Sequence, residues 1–147
     1  MISCDTNVLF PACDSASPLH EPARQFLHSH AEDKDFCLCE QVLMELYCLL
    51  RNPAVCRNPL SAPDAVGVVQ RFRTNPHWII VDVIQDRALM QQVWQWAADP
   101  ACAYRRIFDM RLAATLQQHQ VKDFATRNTK DFQRHGFIRV WDPLSET

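Results

Sequence analysis

Three carboxylates in this chain stand where an uncompensated charge is expensive. Asp5 directly follows the apolar run Met1-Ile2-Ser3-Cys4, and Glu45 is the lone charge inside Val42-Leu43-Met44-Glu45-Leu46-Tyr47-Cys48-Leu49-Leu50. Asp109 precedes Leu112, Ala113 and Leu116 at helical spacing, so its side chain is expected to point toward the interior. A buried carboxylate costs several kcal/mol unless it is paired, protonated or bound to a cation. Separately, each has an ordinary use: a helix N-cap for Asp5, a salt bridge to an arginine for Glu45, an acid at a helix N-terminus for Asp109. Asn128 and Asp131 are ordinary loop residue types. Brought to one place, three acids with a further oxygen donor would repel one another unless a cation lay among them. An all-oxygen set suits Mg²⁺ or Mn²⁺, and such an ion can activate a water and stabilise a phosphodiester transition state.

Other chemistries fit less well. No Cys–His or Ser–His–Asp arrangement is comparably placed, and the six histidines (His20, His28, His30, His77, His119, His135) fall on polar faces and in loops, where surface positions are expected. The two glycines, Gly67 and Gly136, exclude a glycine-rich phosphate cradle, which needs two or three within a few residues.

Charge is nearly balanced, with 17 acidic against 15 basic residues, but it is unevenly distributed. Residues 1–104 carry a net −5, and residues 105–139 carry a net +5. That basic block (Arg105, Arg106, Arg111, Lys122, Arg127, Lys130, Arg134, Arg139) surrounds Asp109 and Asn128. Twelve of the 15 basic residues are arginine, whose planar fork suits bidentate phosphate contact. Arg106, Arg111, Arg127 and Lys130 are the expected substrate contacts.

The elements that must position these residues follow from apolar patterning. Strands are expected at Met1–Cys4, Phe36–Cys39, Trp78–Val83, Asp123–Thr126 and Phe137–Trp141. Helical spacing is read over Pro18–His30, Glu40–Leu50, Pro63–Phe72 with Ser61 as a cap, Asp86–Ala97 and Phe108–His119, and Val8–Ala12 begins a helix or turn. The helix ending at Leu50 stops before Asn52-Pro53, and Ala54–Pro63 reads as a connection. Short, wholly apolar strands alternating with helices predict a central parallel sheet covered on both faces, with ligands at the carboxyl ends of the strands. Asp5, Asn128 and Asp131 all follow such ends.

The 147 residues predict one domain spanning 1–147, large enough to hold a core without disulfides or a structural metal. A composition of 48% apolar and 22% charged residues is that of an ordinary globular chain. Seven cysteines, odd in number and scattered, are expected to be small buried hydrophobes in a reducing compartment. Cys37-Leu38-Cys39 lacks a second pair at zinc-site spacing. Without a signal peptide or a long apolar run, the expected location is the cytoplasm.

In combination, Asp5-Thr6-Asn7 after the first strand, Glu45 on an apolar helix, Phe108-Asp109-Met110-Arg111-Leu112-Ala113 and Ala125-Thr126-Arg127-Asn128-Thr129-Lys130-Asp131-Phe132 resemble the PIN-domain family, and within it the VapC toxins of type II toxin–antitoxin systems. Leu50-Arg51-Asn52-Pro53 and Val140-Trp141-Asp142-Pro143 extend the resemblance over the whole chain. It implies an α/β/α sandwich with a central parallel sheet, a Mg²⁺ or Mn²⁺ site and an endoribonuclease held in check by an antitoxin protein, in a chain that forms a homodimer. Carried onto matching positions, Asp5, Glu45 and Asp109 become the catalytic, metal-binding acids, with Thr6 and Thr126 shaping the site. The family's last motif often has Asp where this chain has Asn128, which supplies an oxygen but no charge; Asp131 is the residue able to compensate. That departure keeps open a catalytically idle antitoxin-binding module, and the fold keeps open a structure-selective DNA or flap nuclease.

Overall fold

The computed structural model describes residues 1–145. In chain order the elements are β1 (Ile2–Cys4), α1 (Thr6–Cys13), α2 (His20–Ser29), β2 (Phe36–Cys39), α3 (Glu40–Arg51), α4 (Ala62–Arg73), β3 (Ile79–Val81), α5 (Arg87–Ala97), α6 (Arg106–Gln118), β4 (Asp123–Ala125), α7 (Thr129–Phe132) and β5 (Arg139–Trp141). The five strands form one sheet in the order β3-β2-β1-β4-β5, and every neighbouring pair is parallel. From β1 the chain winds outward through β2 to β3, then returns to place β4 on the other side of β1. Right-handed crossovers therefore put α1–α4 on one face and α5 and α6 on the other, giving the expected α/β/α sandwich. The reversal at β1 and β4 is the switch point, where open parallel sheets hold their ligands.

The sheet centre is dry. Phe36, Cys37, Leu38 and Cys39 of β2 are all buried, as a strand covered on both faces requires. Leu43, Leu46 and Leu50 of α3, Leu112 and Leu116 of α6, and Phe124 of β4 complete the main core. A second cluster of Leu89, Val93, Met110 and Ala114 joins α5 to α6. Helix starts are chemically marked: the Asp5 carboxylate accepts from Thr6 N, the Ser61 hydroxyl from Asp64 N, and the Asp86 carboxylate from Ala88 N.

Three expectations need correction. His135 is not on the surface but 6% exposed, packed against Trp96 with ring centroids 4.5 Å apart. The cysteines are all free thiols, yet Cys48 is exposed and Cys13 and Cys102 are half-buried, because α3 turns Met44 and Cys48 outward while Leu43 and Leu46 face the core. The segment around Asp131 is not a loop: residues 129–132 form the single-turn α7, anchored by buried Phe132. Among the described residues, no helix is long and apolar enough to cross a membrane.

Candidate active site

The β1–β4 register pairs Cys4 with Ala125, and Asp5 N donates to Ala125 O at 2.9 Å. Asp5 and Thr126 therefore emerge side by side at the carboxyl end of the two central strands. Thr126 Oγ1 donates to Asp5 Oδ2 at 2.7 Å, Asn7 Nδ2 donates to the same oxygen at 2.8 Å, and Thr6 N donates to Oδ1 at 2.7 Å. A carboxylate has about four lone-pair sites, so these three donors leave one open, on Oδ1. The carboxylate is clamped in position and only 7% exposed.

Thr6 ties this strand end to α3. Its hydroxyl lies 2.9 Å from Glu45 Oε2 and 3.2 Å from Val42 O, sharing one proton between them. Glu45 Oε1 accepts from Gln41 Nε2 at 3.3 Å. Gln41 also donates to Phe108 O at 3.0 Å and accepts from Arg111 Nη1 at 3.1 Å, which fastens α3 to the first turn of α6. Asp109 sits on that turn, half-buried.

The electrostatics are those of three acids held close together. Burial pushes Asp5 up to about 6, the hydrogen bonds from Thr126 and Thr6 oppose the rise, and the charges of Glu45 and Asp109 add to it. Asp109 is likewise pushed up to about 6, chiefly by burial; Arg106 offsets part of this, and Asp131 and Glu45 add to it. Among the described residues, neither Asp5 nor Glu45 has a basic partner in an ion pair, so the arginine salt bridge considered for Glu45 is absent.

Several expected residues have other attachments. Asn128 is exposed, its side chain caps nothing, and its backbone N–H donates to Thr126 Oγ1 at 3.0 Å. Asp131 is taken up by Arg106, which reaches its Oδ1 at 2.7 Å and its carbonyl oxygen at 2.8 Å. Arg111 is held by Gln41, Arg127 lies 3.9 Å from Asp142, and Lys130 is exposed. Asn7 and Gln41 were missed as positioning residues. Asn7 is the second residue of α1 and Gln41 stands four residues before Glu45 on one helix face, but neither placement alone marks a positioning residue.

The donor set fits a hard divalent cation. It is all oxygen, it carries uncompensated negative charge, and lone pairs remain free on Asp5 Oδ1 and on both Glu45 oxygens. Among the described residues, no three acid, His or Cys side chains close into a ligand cage by themselves. That openness suits an ion which keeps several waters and takes only a few carboxylates.

No protein-family model matches the chain. Among solved structures, it superposes on Mycobacterium tuberculosis VapC20, described as a Sarcin-Ricin loop cleaving toxin, with a TM-score of 0.68 at 20% identity over 93% of this chain and 96% of that one. FitAcB from Neisseria gonorrhoeae gives 0.68 at 23% identity over 99% and 100%. DNA-bound VapBC from Salmonella typhimurium gives 0.66 at 18% identity over 97% of each chain. These likenesses, with the strand order and the acidic switch point, define a PIN-domain fold. In sequence, the chain is 48% identical to Ribonuclease VapC24 of Mycobacterium tuberculosis over 145 residues, covering 99% of this chain and 98% of the relative. At that identity and coverage, the chain belongs to the VapC family.

Proposed function

We propose that the chain is a metal-dependent endoribonuclease, the toxin of a type II toxin–antitoxin pair, in which Asp5, Glu45 and Asp109 hold Mg²⁺ or Mn²⁺. The observation that carries this reading is the convergence of three carboxylates from β1, α3 and α6 at the sheet's switch point, with Asp5 and Asp109 both near a pKa of 6. The family relative named a ribonuclease supports the substrate class. The resemblance to VapC toxins supports an antitoxin protein as partner and a homodimer as the working form, in the cytoplasm, and one neighbouring structure is described as DNA-bound VapBC.

A divalent cation bound there would supply a Lewis acid that lowers the pKa of water and stabilises charge on the phosphoryl oxygens. The chain's own residues fix the geometry. Thr126, Asn7 and Thr6 hold Asp5 so that only Oδ1 is free, and Thr6 and Gln41 orient Glu45. Asp109, which accepts no hydrogen bond from the described residues, is free to ligate or to take the proton of an attacking water. Arg127 and Lys130 are exposed beside this edge, where they can meet the substrate's phosphates.

The test is cleavage of single-stranded and hairpin RNA in Mn²⁺, with EDTA as control. Losing a partner of a metal ligand costs about 10–100-fold in affinity or activity, so losing a ligand is expected to cost at least the upper end of that range. Asp109→Asn is expected to slow cleavage about 100-fold or more, and EDTA to abolish it. Wild-type rates in Asp109→Asn, or cleavage that persists in EDTA, would overturn the assignment.

A further inference from the structure

Next to the acidic edge lies a second feature that the carboxylates do not use. A cleft of about 820 Å³ opens between α5, α6 and α7, in the size range of about 300–1,000 Å³ typical of small-ligand sites. Trp96, Met110 and His135 supply apolar and aromatic surface, while Arg106, Lys130 and Arg134 bring positive charge. Asp99 and Asp131 line it as well, and Asp131 is taken up by Arg106, which leaves Lys130 and Arg134 as its unpaired positive charges among the described residues. The His135 ring is packed against Trp96 with centroids 4.5 Å apart, so the two aromatic groups form one wall.

Arg106 links this cleft to the candidate active site. It stands three residues before Asp109 on α6, on the same helix face, and acts on the Asp109 carboxylate through space. Its guanidinium is fixed by two contacts to Asp131, so it is held in place at the cleft wall. Arg106 thus belongs both to the cleft lining and to the surroundings of Asp109.

We propose that this cleft is a nucleotide pocket that takes one unstacked base of the RNA substrate close to the scissile phosphate, with Trp96 and His135 against the base and Lys130 and Arg134 on the flanking backbone. The proposal rests on the ribonuclease reading of the adjacent acids. The chemistry matches single-stranded RNA recognition, in which splayed bases meet aromatic side chains and are hydrogen-bonded on their edges. A neutral imidazole carries one donor and one acceptor nitrogen, and every base edge presents complements to both. A bare anion would make no use of the aromatic wall that Trp96 and His135 give the cleft.

The test uses the full chain in EDTA with a single-stranded RNA carrying 4-thiouridine, irradiated and mapped by mass spectrometry. Crosslinks are expected in residues 95–102 or 130–135. In parallel, total RNA is cut in Mn²⁺ and the ends are sequenced. Wild type is expected to prefer one base within two or so nucleotides of the cut, and His135→Gln to flatten that preference. Arg134→Ala, at an exposed position that tolerates truncation, is expected to raise KM about 10-fold with little change in kcat, which keeps the test open if His135→Gln does not fold. A wild type that cleaves RNA but crosslinks only outside the cleft, or whose base preference survives His135→Gln, overturns the pocket alone. A wild type that cleaves no RNA in Mn²⁺ overturns the ribonuclease reading as well.

Discussion

Asp5 has three donors on its two oxygens, and the most consequential is Thr126 Oγ1, which also accepts from Asn128 N and Asn7 Nδ2. Thr126→Val keeps the shape and removes the hub. Because the Thr126 hydrogen bond lowers the Asp5 pKa, its loss raises that pKa further. The expected outcome is RNA cleavage slowed about 10–100-fold at neutral pH, with the rising limb of the pH–rate profile displaced upward; an unmoved profile would remove Thr126 from the site. The acids also predict a linkage. Asp5 and Asp109 titrate near 6 in the folded chain against 3.8 for an ordinary aspartate, so between those values the folded state holds more protons than the unfolded one. Stability of the cation-free protein therefore falls as pH rises through that window. A bound divalent cation relieves the repulsion, so Mn²⁺ is expected to raise Tm more at pH 7 than at pH 5. Differential scanning calorimetry checks this, and an equal or larger gain at pH 5 would contradict it. The acids were legible in the sequence because each interrupts an apolar pattern. Asn7 and Gln41 were not, since a neutral amide beside an acid breaks no pattern, and their roles appear only when β4 and α6 arrive from distant parts of the chain.

At the scale of elements, α3 is the positioning device for Glu45. Leu43, Leu46 and Leu50 anchor one face in the core, and Thr6 and Gln41 hold the carboxylate on the adjoining face. Leu46→Ala leaves a cavity in a fully buried position and is expected to destabilise the chain by about 2–5 kcal/mol in urea unfolding. A loss under about 1 kcal/mol would mean that α3 is not packed as described. The strand and helix order was readable because the strands are continuously apolar and the helices amphipathic. Boundaries moved where tertiary contacts decide: β3 keeps three residues, Ile79–Val81, of the six read as strand, the three that pair with Cys37–Cys39 of β2. α7 escaped detection because four residues are too few to show a period. Gly136, next to His135, has a φ of 85°, and Gly136→Ala is expected to cost about 1–2 kcal/mol because a Cβ is strained there.

For the whole molecule, the two charge blocks of the sequence meet at the sheet's switch point. The acidic front contributes Asp5 and Glu45, and the basic back contributes Asp109 on α6 together with the arginines around it. RNA affinity is then expected to fall with salt. Three or four phosphate contacts, each worth about 0.7 on a single strand, give a log–log slope between about −2 and −3. Filter binding in EDTA measures that slope, Lys130→Ala is expected to reduce its magnitude by about 0.7, and a slope near zero would contradict a basic RNA track. The central claim, that the switch-point carboxylates hold a divalent cation, is tested most directly by calorimetric titration of Mn²⁺ into wild type, Asp5→Asn and Glu45→Gln at neutral pH. A saturable site in wild type that weakens at least about 10-fold in both variants is the predicted result. Wild type and variants that titrate alike would contradict it.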